Sequence, residues 1–286
     1  MALLPMAALA VGAQDFSEIK IEKAITAGYR FTNGPAWSKE GYLLFSDQPG
    51  NQLIHWTPGQ KPQIFLEDAQ GASGLAFDAQ GRLFVCQGRA RRVIRIDQKK
   101  RIQPVAEKYQ GKRLNAPNGV IVRKDGNVYF TDPAFGYQED NRELAFYGVY
   151  RVTSKGEVDL IAKSASRPNG VGLSPNGRTL YVSDSDRRAV RAYDLDRGGA
   201  ASNERVFVSG IEGVPRGLCV DEKNNVYVAA KHLEVFTPGG KSLRRIEFGT
   251  PPSNCAFGDG DLQSLYVTAG PSVYRIRLNV KGAFQY

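Results

Sequence analysis

One pattern recurs six times along this chain and restricts what it can fold into. Each copy opens with a polar residue that is usually followed by glycine, continues as a short apolar alternation, and turns at Gly, Asn or Asp. It then ends an apolar run at a small or polar residue. Successive copies start roughly 40 to 50 residues apart, a period typical of propeller blades when the repeat is built from strands. The opening residues are Asn33, Ser73, Asn118, Asn169, Arg216 and Asn254.

Each copy predicts a β-hairpin followed by two further strands. Residues 127–130 are rich in β-branched and aromatic side chains and follow a turn at 124–126, which is the signature of a hairpin. After the second copy, 92–96 and 102–106 are two more strand-like runs. The sequence therefore predicts an all-β fold: a six-bladed β-propeller with four antiparallel strands in each blade.

The sixth copy is short, because little chain remains for a fourth strand after 272–278. Residues 18–25 form a strand-like segment left over at the N-terminal side. Pairing this segment with the last blade removes an exposed sheet edge. We therefore expect an N-terminal strand to close the ring and residues 15–286 to form a single domain.

Composition excludes several classes of protein. The chain of 286 residues has a mean hydropathy of −0.36 and no apolar run near the ~20 residues of a membrane span. Its net charge of +9 comes with short, scattered basic runs, so no nucleic-acid partner is predicted. The three cysteines are too few for a disulfide scaffold or zinc ribbon. Cys219 and Cys255 are interpreted as inner-strand packing.

The N-terminal segment leaves two interpretations open. Residues 2–13 are apolar or small and end in Val11-Gly12-Ala13, which resembles the core and cleavage site of a secretory signal. No Lys or Arg precedes them. Residues 1–14 are either the remnant of a signal peptide, which implies a periplasmic or secreted protein, or a disordered N-terminus of a cytoplasmic one.

The predicted blades bring the six opening residues together around one mouth of a central channel. These six residues are called the ring. The first strand of a blade is innermost, and the antiparallel second strand returns to the same end. Turn chemistry explains a single Asn-Gly pair, but the repetition predicts a binding site for substrate. Its candidate residues are Asn33, Ser73, Asn118, Asn169 and Asn254, with Arg216 beside them, and with Asp47, Gln87, Asp132 and Asp184 just behind them.

Two long connections at 107–117 and 133–148 reach the same end of the fold. Loops of this length are usually binding loops or lids, so Phe135 and Tyr137 are candidate substrate contacts. The alternative is that these aromatic rings pack against the neighbouring blade. His232 lies on a top loop and is a candidate acid or base, whereas His55 lies within a strand and is interpreted as structural.

Several segments in order resemble the senescence marker protein, gluconolactonase and luciferin-regenerating family of six-bladed propellers. The resemblance implies a lactone or ester hydrolase with one divalent cation, usually calcium, at the channel mouth. It covers roughly residues 31–270. The matching segments are 34–37 (GPAW), 43–47 (LLFSD), 117–119 (PNG), 129–133 (YFTDP), 167–170 (RPNG) and 180–185 (LYVSDS).

The chain departs from the family at the implied metal ligands. Asn118 and Asn169 match the two asparagine ligands and would hold a metal if one is retained. Asn33 stands where the resemblance implies Glu, and Arg216 where it implies Asp. Calcium prefers charged oxygen ligands, and a nearby guanidinium repels a cation. We therefore predict a degenerate calcium site and no cofactor.

The leading hypothesis is a lactone or ester hydrolase of the gluconolactonase type, in which Arg216 stabilises the oxyanion. A carboxylate among Asp47, Asp132 and Asp184 would assist water. Its partner would be a small lactone, ester or anionic sugar-derived molecule. The alternative is a non-catalytic, metal-free propeller that binds a small anion or sugar acid. A third hypothesis is an interaction scaffold. An ion pair between Arg216 and Asp184 that plugs the channel is a purely structural alternative.

Overall fold

The computed structural model describes residues 19–26, 28–164 and 166–283. Within these ranges, 26 strands form six four-stranded sheets and one two-stranded hairpin. All neighbouring strands pair antiparallel, and the six sheets stand around a central channel. The prediction of a six-bladed β-propeller is confirmed. No helix in these ranges is long and apolar enough to cross a membrane.

The blades follow one another in chain order. Blade one contains β2 (Thr32–Ser38), β3 (Tyr42–Asp47), β4 (Gln52–Trp56) and β5 (Gln63–Leu66). Blade two contains β6 (Ala72–Phe77), β7 (Leu83–Gln87), β8 (Arg92–Ile96) and β9 (Ile102–Ala106). The hairpin β10 (Lys108–Tyr109) and β11 (Lys112–Arg113) precedes blade three, which contains β12 (Val120–Val122), β13 (Val128–Asp132), a 3-10 helix (Gly136–Asn141), β14 (Tyr147–Val152) and β15 (Val158–Ser164).

The second half of the ring is built in the same way. Blade four contains β16 (Pro168–Leu173), β17 (Thr179–Asp184), β18 (Ala189–Leu195) and β19 (Ala201–Ser209). Blade five contains β20 (Leu218–Val220), β21 (Val226–Ala229), β22 (Leu233–Phe236) and β23 (Ser242–Ile246). Blade six contains β24 (Pro252–Gly258), β25 (Ser264–Ala269), β26 (Ser272–Arg277) and β1 (Ile21–Ile25).

An N-terminal strand closes the ring, as predicted. β1 pairs antiparallel with β26, with Ile21 opposite Ile276, so blade six takes its outermost strand from the other end of the chain. Glu18, the first residue of the predicted strand, and the segment 1–14 lie outside the described residues.

The apolar core lies between neighbouring blades. The Trp37 ring of blade one stacks on the Tyr266 ring of blade six with centroids 5.4 Å apart, and Trp56 meets the same ring edge-on at 6.0 Å. Because each blade is covered on both faces, its second strand is almost entirely buried; every residue of β7 and of β13 is buried. This double burial explains why these strands are apolar runs rather than strict alternations.

The inner strands approach one another most closely just behind the ring. The Gly74 amide donates to the Asn118 carbonyl of the next blade at 2.7 Å, and the Gly170 amide donates to the Arg216 carbonyl at 3.1 Å. A Cβ atom on Gly74 would lie 2.4 Å from the Asn118 carbonyl oxygen. The glycine after the opening residue is therefore required by the space between blades, which explains its recurrence in the repeat.

Small hydroxyl residues of the second strands add a further link between blades. Thr131 Oγ1 donates to the Asn169 carbonyl, and Ser183 Oγ donates to the Arg216 carbonyl. Thr131 and Ser183 are the small polar residues that end the apolar run of the third and fourth copies of the repeat. They fix the carbonyl of the opening residue in the next blade.

We expect Gly74→Ala to destabilise the fold by roughly 1–3 kcal/mol, the usual cost of overfilling a packed site. The added methyl group would collide with backbone, which cannot rotate away. The measurement is the free energy of unfolding from urea titration. Gly249→Ala is the matched control, because a Cβ there meets nothing within 4 Å; equal effects of the two substitutions would refute the packing argument.

Candidate functional site

The ring is a set of polar side chains with unused hydrogen-bonding capacity. Asn33 Nδ2 donates to Ser73 Oγ at 3.3 Å, and Asn169 Nδ2 donates to Ser185 Oγ at 3.1 Å. Asn254 Oδ1 accepts from the backbone amide of the next residue at 2.8 Å. The Asn118 amide group has no side-chain hydrogen bond to any described residue. Several donors and acceptors at the channel mouth are therefore free to meet a ligand.

Arg216 is the only one of the six opening residues with a charge, and it is half-buried. Its guanidinium carbon lies 5.8 Å from the centroid of the Phe31 ring. Within the described parts of the chain, no carboxylate lies within 4 Å of the guanidinium and nothing accepts its hydrogen bonds. Burial lowers the pKa of Arg216, yet an arginine remains charged at neutral pH. An unpaired, partly desolvated cation is costly, which favours an anionic or strongly polar ligand.

Asp184 does not reach Arg216, contrary to the pairing considered from the sequence. Its carboxylate is 0% exposed. Oδ2 accepts from Ser166 Oγ at 2.6 Å and lies 3.6 Å from Nε of Arg191, a side chain of its own blade. Asp184 therefore turns into the blade rather than towards the channel, and the ion pair that would plug the channel is not formed.

Asp132 is equally enclosed. Its side chain is 0% exposed, and Oδ2 accepts from the Asn115 amide at 2.8 Å. Oδ1 has no hydrogen-bond partner in the described chain, and burial raises the pKa of Asp132 to about 7. A carboxylate in this position contacts the connection that leads to Asn118 and not a molecule at the channel mouth.

The second-strand aspartates share this arrangement. Asp47 accepts from the Arg30 and Phe31 amides at 3.2 and 3.1 Å, just ahead of Asn33. Asp132 and Asp184 hold the segments ahead of Asn118 and Asn169 in the same way. The sequence-based assignment of Asp132 and Asp184 as catalytic residues therefore does not fit the structure; they position the ring.

The other predicted contacts are dispersed over the top face. His232 Nε2 lies 3.6 Å from Glu212 and Nδ1 lies 3.8 Å from Glu247, so the imidazole belongs to a charged cluster of blade five. Phe135 lies beneath the Arg167 guanidinium of blade four at 5.1 Å, as the packing alternative predicts. Tyr137, on the 3-10 helix, is 67% exposed.

Ser185 was not singled out from the sequence. Its hydroxyl accepts from Asn169 and donates to the Pro215 carbonyl at 2.9 Å, so it ties Asn169 to the residue that precedes Arg216. The available signal was its place directly after Asp184 at the end of a second strand. A serine in a loop has no distinctive pattern, which is why the link becomes visible only in three dimensions.

Behind the ring, the channel contains a largely apolar cavity of about 140 Å³. The inner strands of all six blades line it, with Leu75, Val120 and Leu218 among the wall residues. The site therefore has a polar, positively charged rim over an apolar interior, an arrangement typical of pockets for small molecules.

The described residues of the ring include no acidic ligand for a divalent cation. Across the described ranges, no group of three His, Cys, Asp or Glu side chains is placed to hold a metal ion. The ring offers neutral amides, and the Asn33 Oδ1 atom already accepts from the Gly34 amide at 2.8 Å. Hard cations require several charged oxygen ligands, and here the one charged neighbour is the cation Arg216.

Residues 31–270 match the family described as SMP-30/Gluconolactonase/LRE-like region. The chain belongs to this family, as its motifs predicted.

Individual relatives with known names cover almost the whole chain. The gluconolactonase of Zymomonas mobilis is 34% identical over 292 residues, which cover 91% of this chain and 82% of that protein. The pentonolactonase of Haloferax volcanii is 25% identical, over 87% of this chain and 84% of that protein. The solved structure of a gluconolactonase from Xanthomonas campestris superposes with a TM-score of 0.86 at 30% identity, covering 95% of this chain and 93% of that one.

The contribution of Asp132 to the stability of this protein should fall as pH rises from about 4 to about 7, because Asp132 has a pKa of about 7 when folded and about 3.9 when unfolded. Between these values the folded state holds the extra proton, so unfolding releases it and rising pH favours unfolding. Asp132→Asn keeps an acceptor for Asn115 and removes the titration. Urea titrations at several pH values should show a smaller decline for this variant.

Asp261→Asn is the control, because the Arg277 side chain lowers the pKa of Asp261. The contribution of Asp261 is lost only as pH falls below the ordinary range of a carboxyl group. Its variant should leave the decline between pH about 4 and 7 unchanged. An unaltered slope in Asp132→Asn would contradict the assignment of the proton to Asp132.

Proposed function

We propose that this chain hydrolyses lactones of sugar-derived acids without a metal ion, using the Arg216 guanidinium as the positive charge of the site. Family membership and relatives named gluconolactonase and pentonolactonase support the class of reaction. The observation that carries the proposal is the half-buried guanidinium of Arg216, which has no acidic partner among the described residues and lies over the Phe31 ring, two residues before Asn33.

The geometry supports different roles for Arg216 and for the asparagines at the channel mouth. Water attacks the carbonyl carbon of the lactone, and negative charge develops on the carbonyl oxygen. Arg216 donates N–H groups to that oxygen, and a fixed donor of this kind strengthens as the charge grows. The free side-chain amide of Asn118 and the side-chain amide of Asn169 bind hydroxyl groups of the substrate and orient the lactone.

The proton balance of this reaction involves solvent. Attack releases one proton from water, the C–O bond of the lactone breaks, and the departing oxygen takes up a proton, giving a hydroxy acid. The acid then loses its proton to solvent and becomes a hydroxy carboxylate. No carboxylate or imidazole of the described chain contacts a side chain of the ring, so we assign the removal of the water proton to hydroxide or a dissolved base. After subtraction of the uncatalysed hydrolysis, the enzyme-catalysed rate should then increase with pH in the neutral range.

A second candidate function rests on the same guanidinium. A carboxylate pairs with arginine through two parallel hydrogen bonds, so the ring also fits a sugar acid bound without turnover. In this case carboxylate ligands raise the melting temperature, whereas γ- and δ-lactones are not consumed faster than in buffer.

Turnover of γ- and δ-lactones by Arg216 variants tests the first candidate. We expect Arg216→Met to lower kcat/KM about 100- to 1,000-fold, the usual cost of removing one oxyanion donor, with Arg216→Lys intermediate. Arg244→Met is the matched control, since Arg244 is an exposed arginine of β23. Wild-type turnover that Arg216→Met leaves intact would exclude the proposed role.

Metal dependence gives an independent test. The wild-type protein should contain less than stoichiometric calcium, and chelation should leave its lactone turnover unchanged. Arg216→Asp combined with Asn33→Glu restores two carboxylates at the mouth, so calcium should raise the melting temperature of the double variant and not of the wild type. One equivalent of tightly held calcium in the wild type would disprove the metal-free mechanism.

A further inference from the structure

Two cysteines face each other in the wall of the channel. Cys219 lies on β20 and Cys255 on β24, the inner strands of blades five and six. Their Sγ atoms are 3.1 Å apart, and both residues line the central cavity. Cys86, the remaining cysteine, is 0% exposed in a separate core cluster of blades two and three.

The backbone holds these cysteines in matching positions. The Gly217 amide donates to the Ser253 carbonyl at 3.0 Å, and each cysteine follows two residues after one of these partners. The two cysteines therefore occupy equivalent positions on the inner strands of adjacent blades, and their side chains meet at the channel wall. The Sγ separation of 3.1 Å leaves only a small movement to the S–S bond length, which is about 2 Å.

The two thiols differ in access. Cys219 is partly exposed to the cavity, whereas Cys255 is 3% exposed and directs its Sγ atom to the Tyr227 carbonyl at 3.7 Å. A reagent that enters the channel therefore meets Cys219 first. Burial raises the pKa of Cys219, and since the thiolate is the attacking form, the reaction accelerates as pH increases.

We propose that Cys219 and Cys255 are a modification site that closes to an intramolecular disulfide when a small alkyl disulfide enters the channel. The Cys219 thiolate attacks the reagent and expels one alkyl thiolate, leaving a mixed disulfide. Cys255 then attacks the Cys219 sulfur and expels the second. The two cysteines lose two protons and two electrons in total, and the reagent is reduced to two thiols.

The bond would lie directly behind the ring. Asn254 immediately precedes Cys255, and Arg216 is three residues before Cys219. The disulfide thus fixes the distance between the inner strands of blades five and six where they carry two ring residues. It also closes a loop of about 36 residues in the unfolded chain, which stabilises the folded state.

The test treats the purified full-length chain with 2-hydroxyethyl disulfide at about pH 8.5, where thiolate is more abundant. The protein is then unfolded, and its remaining thiols are alkylated and counted by intact mass. We expect one alkylated cysteine after oxidation and three after reduction. After tryptic digestion, the peptides 217–223 and 246–275 should be joined, and the melting temperature of the oxidised protein should be several degrees higher.

Single variants separate the pair from general oxidation. Cys86→Ala should lose two thiols just as the wild type does. Cys219→Ser and Cys255→Ser should form no internal disulfide and show no increase in melting temperature on oxidation. Three alkylated cysteines in the oxidised wild type, a mixed disulfide that persists at Cys219, or a disulfide-linked dimer would each overturn the proposal. None of these outcomes depends on whether the protein hydrolyses lactones.

Discussion

The close approach of the inner strands governs this structure. At three junctions between blades, the amide of an inner-strand glycine donates to a carbonyl of the neighbouring inner strand, as between Gly74 and Asn118, and the space there excludes even a methyl group. This spacing places the residue before the glycine at the channel mouth in five blades, and Asn254, which precedes Cys255, takes the equivalent place in the sixth. A ring of functional side chains is therefore a geometric consequence of the contact that holds the blades together.

Buried carboxylates maintain the ring from behind. Asp47, Asp132 and Asp184 end their second strands and accept hydrogen bonds from the connections that lead to Asn33, Asn118 and Asn169. Removing a carboxylate from water is costly, and the raised pKa of Asp132 shows that cost. The aspartates that look catalytic in the sequence thus determine where the ring lies.

The charge of the ring distinguishes this chain from the pattern that its family resemblance implies. Arginine occupies a position where that pattern has an acidic ligand, and no described carboxylate neutralises it. A guanidinium cannot coordinate a metal ion, but it supplies fixed donors for an oxyanion or a carboxylate. The proposed function rests on this substitution: the Arg216 guanidinium supplies the positive charge that a metal ion would supply in the family pattern.

The sequence by itself determined the number of blades, the closing strand and the identity of the six opening residues, because hydrophobic period and turn chemistry are local properties of the chain. Only the tertiary structure decided where the aspartates point, that Arg216 lacks an acidic partner, and that Cys219 meets Cys255. These contacts join residues far apart in the chain. Their geometry depends on how adjacent blades pack, and no local pattern encodes that distance.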